Sequence, residues 1–232
     1  HVHPDHLEEG EVPLVPTFRL PVQIHTRSGN SKWLAELAHT NPVWMHPSHA
    51  AKLGVATGDL VRVSTRIGYF VAKAWVTEGI RPGVIACSHH MGRWRLEGAE
   101  GQRQFMSTVT MKRDGRAYRL RREKGVEAFD HAGDADMSRI WWMDSGVHQN
   151  LTFPVQPDPV SGMHCWHQAA RIEKAREGDL YGDVSVDLDK AKAHYETWMA
   201  KTRPATKFSP DGTRRPHWIQ RPLRPAKDAY KL

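Results

Sequence analysis

Residues 41–86, NPVWMHPSHAAKLGVATGDLVRVSTRIGYFVAKAWVTEGIRPGVIA, decide how this chain folds. Residues 43–46 make a short extended run stopped by Pro47, which can open a helix because its missing N–H is one the first turn leaves unpaired anyway. Residues 48–53 supply one or two helical turns, and Gly54 stands where a left-handed C-terminal residue is favoured. Gly58-Asp59 turns the chain into residues 60–66, with Val61 and Val63 on one face and Arg62, Ser64 and Arg66 on the other. That is the pattern of a half-buried strand. Ile67-Gly68 turns again, and residues 69–76 return with Phe70, Ala72, Ala74 and Val76 as the more apolar face. Glu78-Gly79 and Arg81-Pro82-Gly83 punctuate the chain before a last apolar run, residues 84–87.

Around that block lie 232 residues in all, enough for one good-sized core with a substantial extension. The hydrophobic fraction of 39% and mean hydropathy of -0.61 are low for a compact domain, so part of the surface is expected to meet other protein. Lys and Arg outnumber acidic residues 33 to 26, giving +7 and a pI near 9.5. This permits an anionic ligand, nucleic acid or an acidic partner without choosing among them. Two cysteines, Cys87 and Cys165, make no disulfide framework. The chain begins with His1 and has neither a signal-peptide core nor an apolar run of transmembrane length, so it reads as a processed or excised fragment. Compartment is not legible from it.

In chain order, residues 1–16 carry Pro, His and acid without a period and read as a linker or strap. Residues 18–26 are the first strand candidate, with Pro21 marking an edge, and residues 32–38 a short helix. Between them the small and polar loop beginning Arg27-Ser28-Gly29-Asn30 offers backbone N–H groups and a guanidinium fork to a phosphate or polar heterocycle, or is an ordinary turn. Residues 97–133 form a charged insertion, with a hairpin expected where residues 109–112 and 117–120 flank Asp114-Gly115. Its basic runs invite a nucleic-acid reading, but interspersed acids and the lack of an RNA-module aromatic motif favour a solvated or subunit-facing excursion. Trp141 and Trp142 cannot both enter one sheet face, so one should pack on the core and the other on a neighbour or ligand. Residues 163–172 are expected to be the final strand of the core. Residues 186–201 read as an amphipathic helix with Leu188, Ala191, His194, Tyr195 and Trp198 in a stripe, and Asp187 and Asp189 at its N-terminus. The Pro- and Arg-rich tail from residue 203 is expected to wrap a partner.

Taken in their order and spacing, Asn41-Pro42, the run from His46 to Gly54, Gly58-Asp-Leu-Val-Arg-Val-Ser64, Gly68, Val76-Thr-Glu-Gly79 and Ile80-Arg-Pro-Gly-Val84 form a recognisable series. The chain resembles the C-terminal molybdopterin-dinucleotide-binding domain of the dimethyl-sulfoxide-reductase family of molybdenum and tungsten oxidoreductases. Asn150-Leu-Thr152 and Asp158-Pro-Val-Ser-Gly162 match it as well. Its histidine-rich loops and long insertion are most similar to the polysulfide, thiosulfate and arsenate reductase group. The resemblance implies a mainly β fold, a six-stranded double-psi β-barrel of the aspartate-decarboxylase-like kind over residues 17–175. To it are added short helices, the charged insertion, and a C-terminal helix and tail over residues 176–232.

The resemblance further implies a bis(molybdopterin guanine dinucleotide) cofactor carrying molybdenum or tungsten, part of which this domain holds for two-electron chemistry. Thr26, Arg27, Ser28, Asn30, His89, His90, Asn150 and Gln168 are the expected contacts, and no residue here is expected to be catalytic or to ligate the metal. Asn150 suits its role because an amide both donates and accepts, mirroring the pterin's pyrimidinone edge. The metal ligand and an iron–sulfur cluster belong to upstream domains of the same subunit, with an electron-transfer iron–sulfur subunit as partner. Neither nucleic acid nor a direct membrane span is expected; prokaryotic cytoplasm and periplasm both fit. Two other readings stand beside this one. A non-enzymatic barrel could act as an adaptor through its basic insertion and tail. A self-contained metal enzyme could use Cys87, His89, His164 and Cys165, although their spacing is not that of a structural zinc motif.

Overall fold

The computed structural model describes residues 7–16, 40–92, 94–96, 109–122, 146–156, 164, 166–200, 202–203 and 215–216. Its elements are β1 (Val12–Val15), β2 (Val43–Met45), α1 (Pro47–Leu53), β3 (Leu60–Ser64), β4 (Gly68–Val76) and β5 (Ile85–Ala86). There follow β6 (Arg95–Leu96), β7 (Val109–Asp114), β8 (Ala117–Arg122), the 3-10 turn Gln149–Thr152 and β9 (Gln168–Lys174). The last described elements are β10 (Val184–Asp187), α2 (Leu188–Ala200), β11 (Thr202–Arg203) and β12 (Arg215–Pro216).

Hydrogen bonding runs β2-β5-β1-β9-β3-β4, and β2 pairs again with β4, so six strands close into a barrel as expected. Two pairings are parallel, β1 with β5 (Leu14 opposite Ile85) and β2 with β4 (Val43 opposite Ala74), and the other four are antiparallel. Closure removes the open edges that a six-stranded sheet would leave to aggregate. The alternation read from the sequence holds in β3, where Val61 and Val63 are fully buried; in β4 Phe70, Ala72 and Ala74 turn inward as expected, but Val71 of the opposite face is fully buried as well. With Leu14, Val43, Met45, Ile85, Ala170 and Ile172 the inward residues of both strands fill the barrel.

The length of β4 lets one edge do two jobs. Residues 74–76 pair with β2 to close the barrel, while residues 68–70 pair with β10, which in turn pairs with β8 of the β7–β8 hairpin. The hairpin forms where expected, with Asp114 opposite Ala117 and the turn at Gly115-Arg116. Phe70, Val184 and Leu120 stand in one cross-strand row, all buried, so the charged excursion joins the core through an apolar rung. The helix α2 also forms where expected, its first turn capped by Asp187 Oδ1 accepting from the N–H groups of Asp189 (3.0 Å) and Lys190 (3.1 Å). Leu188, Ala191 and His194 are half-buried, but Tyr195 is 46% exposed, so the buried stripe is narrower than the sequence suggested.

Three expectations need correction. Val12–Val15, within the stretch read as a linker or strap, is a barrel strand paired on both sides. With four residues, one of them Pro13, and only Leu14 buried, it carries too little periodicity to be seen. The last barrel strand begins at Gln168 and not at residue 163. Val184–Asp187 forms β10, whereas the sequence suggested helix from residue 186. The strand and helix candidates at residues 18–26 and 32–38, and Trp141 and Trp142, lie outside the described residues.

A polar network braces the outside of this sheet. Arg62 of β3 donates from Nε to Asp179 Oδ2 (3.0 Å) and from Nη2 to Oδ1, while its guanidinium lies 3.8 Å over the Tyr69 ring. Burial would raise the Asp179 carboxyl, but the bonds from Arg62 and from the Arg176 N–H hold it below its ordinary value. Asp183, its side chain 1% exposed, pairs with Arg121 of β8. Here burial wins, and the carboxyl lies above its ordinary value despite the Leu180 N–H and Arg121.

Candidate functional site

Where β5 ends, the chain passes from the barrel wall into a short loop, Cys87 to Gly92, whose first backbone N–H still bonds to Val15 (3.1 Å). The Cys87 side chain is fully buried and donates to the Asn41 carbonyl (3.3 Å), and burial pushes its thiol pKa up, which keeps the sulfur protonated as that donor. His89 is 7% exposed, its ring 4.1 Å from that of His90 in an edge contact. Trp166 lies over His89 at 4.9 Å with the planes tilted 33°, and His164 meets the edge of Trp166 at 5.7 Å. Partial burial lowers the His164 pKa, which favours its neutral ring.

A second segment, from Gly146 through the 3-10 turn to Phe153, is laced onto this loop. The Gln149 amide donates to the Cys87 carbonyl (2.6 Å), and the Asn150 amide to the His89 carbonyl (3.3 Å). Thr152 Oγ1 donates to the Gln149 carbonyl (2.8 Å), and the Thr65 hydroxyl, just past β3, donates to the Thr152 carbonyl. The approach is so close that only glycine serves at two points. A Cβ on Gly92 (φ +88) would meet the His148 nitrogen at 2.2 Å, and one on Gly146 (φ +82) would meet Asn41 Oδ1 at the same distance. Burial also lowers the His148 pKa, with a Gly92 backbone bond working the other way, so this ring too is held neutral.

Two acceptors are left over. Gln149 Oε1 and Asn150 Oδ1 are buried and have no donor among the described residues. An unmet buried acceptor costs about 1–3 kcal/mol, and two on adjacent residues are matched by a ligand that presents N–H groups. A pterin's amino-pyrimidinone edge has such groups, so the residues present fit that class of ligand. The histidine–tryptophan cluster beside them offers flat surfaces for a heterocycle.

Of the expected contacts, His89, His90 and Asn150 come together here. Gln168 is 1% exposed at the start of β9, in register with Leu14 and on the inward face with Ala170, so it belongs to the end of the barrel interior. Thr26, Arg27, Ser28 and Asn30 lie outside the described residues. Sequence reasoning assigned no ligand role to Gln149 or Trp166. The crowding of His164, Trp166 and His167 ahead of a strand was the signal for the latter. For the metal-enzyme reading, Cys165 lies outside the described residues, and among those described no three His, Cys, Asp or Glu side chains gather as a metal site. Nor, among them, is any helix long and apolar enough to cross a membrane.

A family described as "Molydopterin dinucleotide binding domain" matches residues 14–170. Trimethylamine-N-oxide reductase of Haemophilus influenzae is 33% identical over 103 residues, which are 40% of this chain and 12% of that protein. The molybdopterin-containing subunit of thiosulfate reductase from Salmonella typhimurium is 38% identical over 66 residues, 28% of this chain and 9% of that one. The molybdopterin-containing subunit of arsenate respiratory reductase from Chrysiogenes arsenatis is 32% identical over 78 residues, 30% of this chain and 9% of its own length. Among solved structures, acetylene hydratase from Pelobacter acetylenicus aligns with a TM-score of 0.43 and 16% identity, over 72% of this chain and 19% of that one. The matched part of this chain thus corresponds to 9–12% of these curated relatives' length.

Proposed function

The chain belongs to the molybdopterin dinucleotide-binding domain family, and on that premise we propose that it is the cofactor-holding C-terminal piece of a molybdenum or tungsten oxidoreductase catalytic subunit. Its ligand is part of a bis(molybdopterin guanine dinucleotide). When bound, that group supplies the metal centre for two-electron redox chemistry. The protein's share is to bind, orient and keep water away. Asn150 and Gln149 accept N–H groups of the heterocycle, His89, His90 and Trp166 wall it, and the loop holding Thr26, Arg27, Ser28 and Asn30 completes the site, with Gln168 behind. By itself the chain is inactive, because the metal ligand and iron–sulfur cluster belong to upstream domains. An electron-transfer iron–sulfur subunit is the partner of the whole enzyme. The barrel's double-psi form is part of the proposal, supported by its two parallel pairs set among antiparallel ones.

The observation that carries this reading is the pair of buried acceptors on Gln149 and Asn150 that find no donor among the described residues, set where two glycine-tight loops meet. An adaptor role has less support. In the basic hairpin Arg116, Arg119 and Arg121 pair with Asp189, Asp114 and Asp183, leaving less positive charge for a polyanion. In the full enzyme Asn150→Ala is expected to shed cofactor about five- to tenfold faster, the effect of losing a single buried hydrogen bond. Molybdenum and pterin content after gel filtration measures this. Wild-type content in the variant would remove Asn150 from the site.

A further inference from the structure

Asn41 precedes β2 and is 1% exposed, with its whole carboxamide engaged. Its Nδ2 donates to the carbonyls of Ser88 (2.6 Å) and Val147 (2.9 Å), and its Oδ1 accepts from the Val147 N–H (2.7 Å). One side chain therefore grips both loops of the site at once. The seat leaves no slack, since a Cβ on Gly146 would lie 2.2 Å from Oδ1. The chemistry is particular to an amide. Two donors and an acceptor are used in one plane; a carboxylate would set a charge against two carbonyls, and a hydroxyl has one proton.

The residues gripped are neighbours of those that face the ligand. Ser88 immediately precedes His89, and Val147 stands two residues before Gln149 and three before Asn150. Fixing Ser88 and Val147 against each other fixes the register in which His89, Gln149 and Asn150 are presented. We infer that Asn41 is a positioning residue of the cofactor site, one that touches no ligand and sets where the two buried acceptors stand. This rests on the cofactor-holding reading above.

The test uses the full-length molybdenum-loaded enzyme with Asn41→Ala and Asn41→Asp, beside Val63→Ala, a barrel-core change remote from the loops. All three are expected to lower the thermal midpoint. Only the Asn41 variants are expected to lose pterin and molybdenum about tenfold faster, to lose amide-exchange protection at Val147, and to alter the Mo(V) paramagnetic resonance line shape. Asn41→Asp sets a buried carboxylate oxygen against the Ser88 and Val147 carbonyls and should do at least as badly as Asn41→Ala, so keeping one acceptor for the Val147 N–H does not rescue it. Asn41 variants matching Val63→Ala in cofactor content and line shape would overturn the inference. So would failure of both to fold while the control folds, which marks a purely structural residue. The two readings separate cleanly: if Asn150→Ala also keeps its cofactor, the holding site itself is wrong, whereas shedding by Asn150→Ala alone sinks only the role of Asn41.

Discussion

Gly92 carries two constraints that can be weighed separately. Its φ of +88 strains any other residue, a backbone cost of about 1–3 kcal/mol, and an added Cβ would also collide with the His148 backbone. Gly58 has a similar φ of +95 but open space around its would-be Cβ. Gly92→Ala should therefore destabilise well beyond Gly58→Ala, by about 2 kcal/mol more, as expected where strain and a forced backbone shift add. Urea denaturation of the two variants reads the difference, and equal midpoints would mean the two loops are not locked together. The same contrast explains what the sequence discloses of the site. His89, His90 and Asn150 stand out because their side chains carry recognisable chemistry in a recognisable order. The roles of Gln149 and of Asn41, the latter visible only as part of the Asn41-Pro42 motif, are not disclosed, because they are contacts over 62 and 106 residues of chain, and no local pattern encodes those.

Elements with one wet face between marked turns, such as β3, α1 and the β7–β8 hairpin, are legible from sequence because periodicity records that face. The strand β10 is hidden for the opposite reason: Val184, Ser185 and Val186 are all buried, so nothing alternates. What fastens the turn before it to β3 is the Arg62–Asp179 pair. The Asp179 carboxyl lies below its ordinary value of 3.8, so its contribution is full above that value and is lost as pH falls through the folded one. Asp183 lies above 3.8, so its ionised form is a burden at neutral pH that is relieved on acidification. Asp179→Asn should accordingly cost about 3 kcal/mol at pH 7, as expected for a buried pair robbed of one partner. Asp183→Asn should cost clearly less. The Asp179→Asn deficit should shrink on titration below pH 4; a deficit independent of pH, or equal for both variants, would refute this account of the network.

Across the described residues one sheet runs from the closed barrel through β10 into the β7–β8 hairpin, and one apolar cluster underlies it, with Leu120, Val184 and Val186 in the same body as Phe70 and Val63. A charged excursion could instead have stood in solvent or faced another subunit, as its sequence suggests. The difference lies in the single rung Phe70–Val184–Leu120, since most of the hairpin's other side chains are half-buried or exposed. If that rung makes hairpin and barrel one cooperative unit, Leu120→Ala, at a site 2% exposed, should lower global stability by the about 2–5 kcal/mol of a buried leucine truncation. Amide protection would then fall together in β3, β4, β8 and β10. Were the hairpin only docked, the variant would speed exchange in β7, β8 and β10 and leave β3 and β9 at wild-type protection. Native-state hydrogen exchange on the full chain distinguishes these outcomes. The uniform fall is expected, because β4 hydrogen-bonds to barrel closure and to the extension along the same edge, and strain at one end of that edge is transmitted to the other.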